Sequence, residues 1–112
     1  MIDEDMTIDD LLSWANGLGI CTFKKQPVFK HDAIVCEKGQ VHIWMYFGRF
    51  SESVPVDGGK RMIHFDAFDN RKGNYSGMGA PLSTLDEAER YIQRYAEKLD
   101  LVNPQMTLFS LL

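Results

Sequence analysis

Hydrophobic residues near the start of the chain recur with the period of a helix. Ile8, Leu11, Leu12 and Ala15 follow Thr7 at spacings of three and four residues, which places them on one helical face. The Thr7 side chain can accept a hydrogen bond from the amide at the third helical position, and an acid there suits the positive helix end. The pattern predicts a helix that begins after Thr7 and closes at Gly17 or Gly19.

A second helical stripe occupies the last third of the chain. Thr84 and Glu87 have the spacing of a capping box, in which two side chains satisfy the free amides of a helix start. The apolar positions that follow share one face, and charged residues occupy the other; the apolar set is Leu85, Ala88, Ile92, Tyr95, Ala96 and Leu99. The pattern predicts a C-terminal helix with one buried side.

Between the helices the sequence alternates with a period of two, which is typical of strands. The predicted strands are Ile20–Lys24, Asp32–Cys36, Gln40–Phe47, Lys60–Phe68 and a short edge strand at Tyr75–Met78. Glu37-Lys38-Gly39 predicts a hairpin, and Gly48–Gly59 and Asp69–Pro81 are read as irregular, potential binding loops. We therefore expect an α+β domain: a helix, an antiparallel meander of four to five strands, and a C-terminal helix, with the helices on one sheet face.

Composition bounds the class of protein. The 112 residues, 45% of them hydrophobic, suit one domain with a single core. The net charge of −4 and the acidic start, Met1–Asp5, argue against a targeting signal, so we expect a cytoplasmic protein. In that compartment Cys21 and Cys36 are expected to be small buried thiols.

Candidate catalytic chemistry is sparse. His64 and Asp66 would share a strand face, and with His42 on a neighbouring strand they could hold a metal for a nucleic-acid enzyme. The simpler interpretation is that they are solvent-facing while Ile63 and the residues in step with it face the core, and we favour it. The glycines of Gly77-Met78-Gly79 lack the lysine of a phosphate loop and are read as a flexible loop. The sequence thus indicates no catalytic residue, metal or cofactor.

Aromatic residues alternate along the central strand. Trp44 and Tyr46 would lie on one face, and with Lys60 and Arg61 they would form a surface able to stack single-stranded nucleic-acid bases. The alternative places Trp44 and Tyr46 in the core under the helices. A strand that is apolar on both faces is usually buried, so we favour the second interpretation.

The last residues carry the most specific motif. After Asn103-Pro104, which should stop a helix, the chain reads Gln105-Met106-Thr107-Leu108-Phe109-Ser110-Leu111-Leu112. The segment Gln105–Phe109 resembles the peptide by which bacterial replication and repair proteins bind the DNA polymerase sliding clamp. That pattern is glutamine, leucine, serine or aspartate, leucine, phenylalanine. Three residues match it, while Met106 and Thr107 depart mildly.

The resemblance implies a partner and a division of the chain. Residues 1–103 would form the domain, and residues 104–112 an apolar tail that binds the clamp through Gln105, Met106, Thr107, Leu108 and Phe109. The protein would be a non-enzymatic, phage-type accessory factor that recruits its domain to replication or displaces polymerases. The alternative is an inhibitor or toxin-immunity module that acts through its loops and packs the tail into its own core.

Overall fold

The computed structural model describes residues 1–74 and 76–104. Within these ranges the chain forms two helices and six strands. In chain order they are α1 (Ile8–Gly17), β1 (Lys24–Val28), β2 (His31–Lys38), β3 (Val41–Ser51), β4 (Val54–Pro55), β5 (Lys60–Asp69), β6 (Ser76–Leu82) and α2 (Leu85–Lys98). The predicted α+β class and the order of helix, meander and helix are confirmed.

The sheet is antiparallel throughout the described residues and follows the order β1-β2-β3-β5-β6. The two-residue strand β4 pairs only with the end of β3 and makes a sixth strand, one more than the predicted maximum. Strands that follow one another in the chain lie side by side in this order, except that β4 intervenes in the chain between β3 and β5. This is the arrangement of a meander. β1 and β6 form the two edges.

The helices cover one face of this sheet. Strand residues at alternate positions point towards α1 and α2 and are almost fully excluded from solvent; they include Ile34, Ile43, Met45, Ile63, Phe65 and Leu82. Leu11 and Ala15 of α1 and Ile92 of α2 meet them from the other side. Burial of each large apolar side chain contributes about 1.5–3 kcal/mol, so this layer is the principal source of stability.

Both helix starts lie where the sequence predicts them. Thr7 makes both bonds of a capping box: its hydroxyl accepts from the Asp10 amide, and the Asp10 carboxylate accepts from the Thr7 amide. Thr84 accepts from the Glu87 amide at 3.1 Å, but the Glu87 carboxylate accepts instead from the amide and hydroxyl of Ser83.

In the described residues, no helix has the length and apolarity that a membrane crossing requires.

The predicted strand Ile20–Lys24 is wrong, although Ile20 and Phe23 are buried. The Asn16 side chain accepts from the Phe23 amide at 2.8 Å and donates to the Phe23 carbonyl at 3.1 Å. A side chain at the end of α1 therefore takes the backbone groups that a strand partner would use. The first strand therefore begins four residues later than predicted, at Lys24.

The two stretches read as irregular are partly wrong as well. β3 continues to Ser51 and turns through Glu52, at a φ of 56°, into β4. β6 overlaps the predicted edge strand Tyr75–Met78 and continues to Leu82. It therefore incorporates Gly77-Met78-Gly79, which the sequence analysis assigned to a flexible loop, and pairs along β5. Pro81 is tolerated there because an edge strand can forgo an amide donor.

The two cysteines behave as expected. Cys21 and Cys36 are both buried and both free thiols. A hydrogen bond with Cys36, together with burial, raises the pKa of the Cys21 thiol. Such a thiol is packing material and not a nucleophile at neutral pH.

The chain that leaves α2 is hydrogen-bonded to the segment that follows α1. The Asn103 amide donates to the Ile20 carbonyl at 2.8 Å, and the Thr22 hydroxyl donates to the Asn103 side chain at 3.0 Å. Asn103 is thus part of the folded domain, and the predicted division of the chain after residue 103 stays a prediction. The predicted clamp-binding residues Gln105–Phe109 lie outside the described residues.

Candidate ligand-binding face

The sheet face opposite the helices carries a cluster of rings. Because side chains alternate along a strand, the partners of the core residues point away from α1 and α2. We define the aromatic face by His31, His42, Trp44, Tyr46, Phe50, His64, Asp66 and Phe68 from the strands, with Phe29 from the β1–β2 turn. All three histidines of the chain belong to it. A solvated sheet face is normally polar and mixed, so this composition calls for an explanation.

Two stacks of rings make up the face. In the first, the His42 ring lies between Trp44 and Phe68, with ring centroids 4.0 and 4.7 Å away and nearly parallel planes. The carboxylate of Asp66 contacts this stack, since its Oδ2 lies 3.3 Å from His42 Nε2. The pair is half-buried, with 13% of the His42 and 20% of the Asp66 side chain exposed.

The second stack is centred on Tyr46. Tyr46 lies between His31 and His64, at centroid distances of 4.2 and 4.7 Å, and Phe50 lies 6.2 Å beyond His64. Sheet register explains the order, because Tyr46 of β3 pairs directly with His64 of β5. Trp44 pairs with Asp66 in the same way.

A groove of about 350 Å³ runs between the stacks. Its lining residues are Phe29, His42, Trp44, Tyr46, His64, Asp66 and Phe68. Towards β6 no described side chain closes it, because the positions in register with Phe68 and Asp66 are Gly77 and Gly79. A β-carbon at Gly79 would lie 3.5 Å from the His64 ring and 3.7 Å from Asp66 Oδ1, in ordinary contact. Glycine is therefore not a packing requirement there, and its effect is to leave the groove accessible.

Phe29 is the most unusual member of the face. It occupies the first position of the two-residue turn between Val28 and His31, with a φ of 56° and 84% of its surface exposed. Positive φ disfavours a side chain, and glycine is the usual residue at such a turn position. Phe29 instead places its ring edge-to-face with Trp44 at 5.8 Å. The turn thus holds a large apolar ring in solvent beside the groove.

The titratable groups of the groove lining are one acid, Asp66, two histidines and Tyr46. Burial lowers the pKa of His64, and His31 lowers it further, against an opposing effect of Asp66. His64 is therefore neutral at pH 7. Burial, with a smaller effect of Asp66, raises the pKa of Tyr46, which stays protonated. The groove lining contains no lysine or arginine, so Asp66 contributes its fixed charge.

The structure brings together only part of the predicted nucleic-acid face. The favoured interpretation, which placed Trp44 and Tyr46 in the core under the helices, is wrong. Both side chains pack on Val28, Ala33 and Val35 on the opposite face of the sheet. Lys60 pairs with Phe50 at the end of this same face. Arg61 lies on the helix side, with its guanidinium 3.8 Å from the Phe47 ring centre. Adjacent strand residues cannot share a face, which is why Lys60 and Arg61 separate.

The metal interpretation receives less support than the solvent-facing one. Ile63, Phe65 and Ala67 are buried while His64 and Asp66 point away from the core, as the sequence indicates. Asp66 does contact His42. Among residues 1–74 and 76–104, however, no three histidine, cysteine or acidic side chains are placed to hold a metal ion.

Sequence reasoning missed Phe29, His31 and Phe68. Phe68 was placed at the end of a predicted strand, and its parity with His64 and Asp66 was available from the sequence. Phe29 and His31 depend on the β1–β2 hairpin, whose first strand was misplaced.

Comparisons with protein families, with curated proteins and with solved structures found no match to this chain.

Proposed function

We propose that this chain is a non-enzymatic accessory protein that binds the bacterial sliding clamp through Gln105–Phe109 and thereby carries its folded domain to replication sites in the cytoplasm. The resemblance of that segment to the clamp-binding peptide carries the proposal. The segment begins two residues after Asn103, which is hydrogen-bonded to Ile20 and Thr22 of the folded domain.

The energetics suit a transient tether. Burial of Met106, Leu108 and Phe109 in a partner would contribute about 1.5–3 kcal/mol each. The loss of rigid-body freedom and the ordering of the segment offset much of that sum. We therefore expect a dissociation constant on the order of micromolar.

The test is competition between the full-length chain and a fluorescently labelled docking peptide for purified bacterial clamp. We expect the native chain to displace the peptide and a Leu108→Ala/Phe109→Ala variant to lose roughly 100-fold in affinity. The matched control is Leu111→Ala/Leu112→Ala, which removes comparable apolar surface outside the motif and should bind within about threefold of the native chain.

Stability measurements on the same variants separate the two roles of the tail. If Leu108→Ala/Phe109→Ala unfolds with a loss of several kcal/mol, as a core truncation does, the segment belongs to the domain's own core and the proposal fails. That result would favour the inhibitor or immunity-type module. Failure of the native chain to displace the peptide would also overturn the proposal.

A second candidate function concerns the domain itself: a binding module that acts through the aromatic face. The observation that favours it is Phe29, held at positive φ and 84% exposed beside the groove. The test is a titration of labelled protein with a panel of nucleosides, amines and sugars, followed by NMR. We expect shifts at the Trp44 indole and not at Trp14 on the helix side. Shifts at neither, or only at Trp14, would overturn this candidate.

A further inference from the structure

We propose that the groove of the aromatic face binds a small organic cation with a methylated or quaternary ammonium group, held between the rings of Trp44 and Tyr46 beside Asp66. This inference rests on the second candidate function and is independent of clamp binding.

The rings provide the first part of the argument. Phe29, Trp44, Tyr46 and Phe68 all border the groove. Aromatic faces carry negative electrostatic potential, and rings grouped around one space are the usual way of binding quaternary ammonium groups. The volume of about 350 Å³ falls at the lower end of the range for ligand pockets, roughly 300–1,000 Å³. The groove therefore fits a small head group.

Charge supplies the second part. Asp66 is the acid in the lining, which has no lysine or arginine to compensate it. Lys24, at the edge of this face, already pairs with Glu37 at 3.3 Å. Lys60 lies at the far end of the face, beside Phe50. A ligand between the stacks thus meets a net negative charge, which favours a cation over an anion.

One oxygen of Asp66 remains available to such a ligand. Oδ2 contacts His42 at 3.3 Å, whereas Oδ1 has no hydrogen-bond partner among the described residues. Oδ1 points towards β6, where Gly79 has no side chain to shield it; a β-carbon there would lie 3.7 Å away. The carboxylate is therefore fixed by one oxygen and exposed by the other.

The type of cation follows from the number of acceptors. A guanidinium has five N–H donors and an unmodified ammonium has three, each of which needs an acceptor. The groove offers chiefly ring faces and one free carboxylate oxygen. A methylated ammonium needs few hydrogen bonds and gains from contact with apolar rings, so it matches this lining best.

Single-stranded nucleic acid is the competing occupant, because its bases could stack on the same rings. Its affinity depends largely on neutralised phosphates. The chain carries a net charge of −4, and Arg61 lies on the opposite face. The charge distribution therefore favours the organic cation, and nucleic acid becomes an arm of the test.

The experiment uses the full chain with Trp14→Phe, so that Trp44 is the sole indole reporter. Choline is titrated against Trp44 fluorescence, and 3,3-dimethyl-1-butanol, which has the same shape without the charge, is the matched ligand control. We expect saturable binding of choline at least about tenfold tighter than that of the alcohol. Circular dichroism verifies that the Trp14→Phe protein is folded.

Two further variants locate the site. Asp66→Asn keeps the shape of the side chain but removes its charge and should weaken choline binding by about tenfold or more. Gly79→Val should also weaken it, because the added side chain would cover Oδ1. Asp86→Asn, an exposed acid on α2, is the matched control and should bind choline as the parent does.

Four results would overturn the proposal. Equal affinity for choline and the neutral alcohol would show that the charge is irrelevant, and an unchanged affinity in Asp66→Asn would show the same. Saturation by oligothymidylate with no response to choline would assign the face to nucleobases, and the second candidate function would then survive without this inference. No response to any ligand would remove both, while leaving the clamp proposal untouched.

Discussion

The two faces of the sheet are built from the same strands and yet differ in composition and packing. On β5, Ile63 and Phe65 face the helices and are fully buried, whereas His64 and Asp66 face away and remain partly exposed. A sheet that needs only stability can present simple polar residues to water on its open side. This one presents stacked rings around a carboxylate. One face is organised for stability, and we infer that the other is organised for binding.

The largest expected effect compares two phenylalanines of one strand. Phe65→Ala removes a fully buried ring that contacts Tyr91 and Tyr95 and should lower the free energy of unfolding by about 3–5 kcal/mol. Phe68→Ala removes the same side chain from the aromatic face, where it is half-buried, and should cost less than half as much. Urea denaturation measures both. Equal losses would mean that the aromatic face is a second core.

The next largest effect on stability concerns the N-terminal cap of α2. Thr84→Ala removes the hydroxyl that accepts from the Glu87 amide at the start of α2 and should cost about 1 kcal/mol. Thermal unfolding measures it. Ser53→Ala, which removes an exposed hydroxyl outside the helices, is the control. Because α2 covers only the other face of the sheet, Thr84→Ala should leave ligand binding on the aromatic face unchanged. If the variant lost both stability and ligand binding, the two faces would not be independent.

His64 on the aromatic face should make stability depend on pH near neutrality. The pKa of His64 is lowered chiefly by burial, so the folded state favours its neutral form. The contribution of neutral His64 to stability is therefore complete above the pKa of histidine in the unfolded chain, about 6.5. It is lost as the pH falls from that value towards the lower pKa of His64 in the folded protein. Stability measured between pH 7.5 and pH 5 should decline less in His64→Gln. An NMR titration that places the His64 pKa at or above 6.5 would contradict this explanation.

The smallest stability effect should occur at Phe29. Phe29→Gly relieves the positive φ, a gain of about 1–2 kcal/mol, but loses the edge-to-face contact with Trp44, worth about 0.5–1.5 kcal/mol. The net change should be under about 1 kcal/mol, while binding in the groove should weaken several-fold. A clear loss of stability with unchanged binding would make Phe29 structural.

Local signals in the sequence predicted the helices and failed at particular strands. Thr7 and Thr84 mark their helices because a cap acts on its own neighbours. The strand at Ile20–Lys24 was misplaced because Asn16, on another element, takes the backbone bonds of Phe23. β6 was predicted only as the short edge strand Tyr75–Met78, and its continuation to Leu82 was missed. Its glycines have low strand propensity, and pairing with β5 overrides it.

The candidate site could not be predicted from the sequence of β3 alone. β3 has apolar or aromatic residues at every position from Val41 to Phe47, so its own pattern cannot decide which side faces the helices. Register decides it, because Tyr46 pairs with His64 and Trp44 with Asp66. The polar character of β5 then assigns that side to solvent. The separation of Lys60 from Arg61, by contrast, followed from strand alternation alone.

The attachment of Asn103 determines how mechanical load would enter the domain. Tension on whatever follows Pro104 would reach the Ile20 carbonyl and the Thr22 hydroxyl together with the end of α2. These groups belong to the connection that Asn16 fixes to α1, so both helices would share the force. Tension from that side would load the bonds of Asn103 to Ile20 and Thr22 before it could unwind α2 from its C-terminal end.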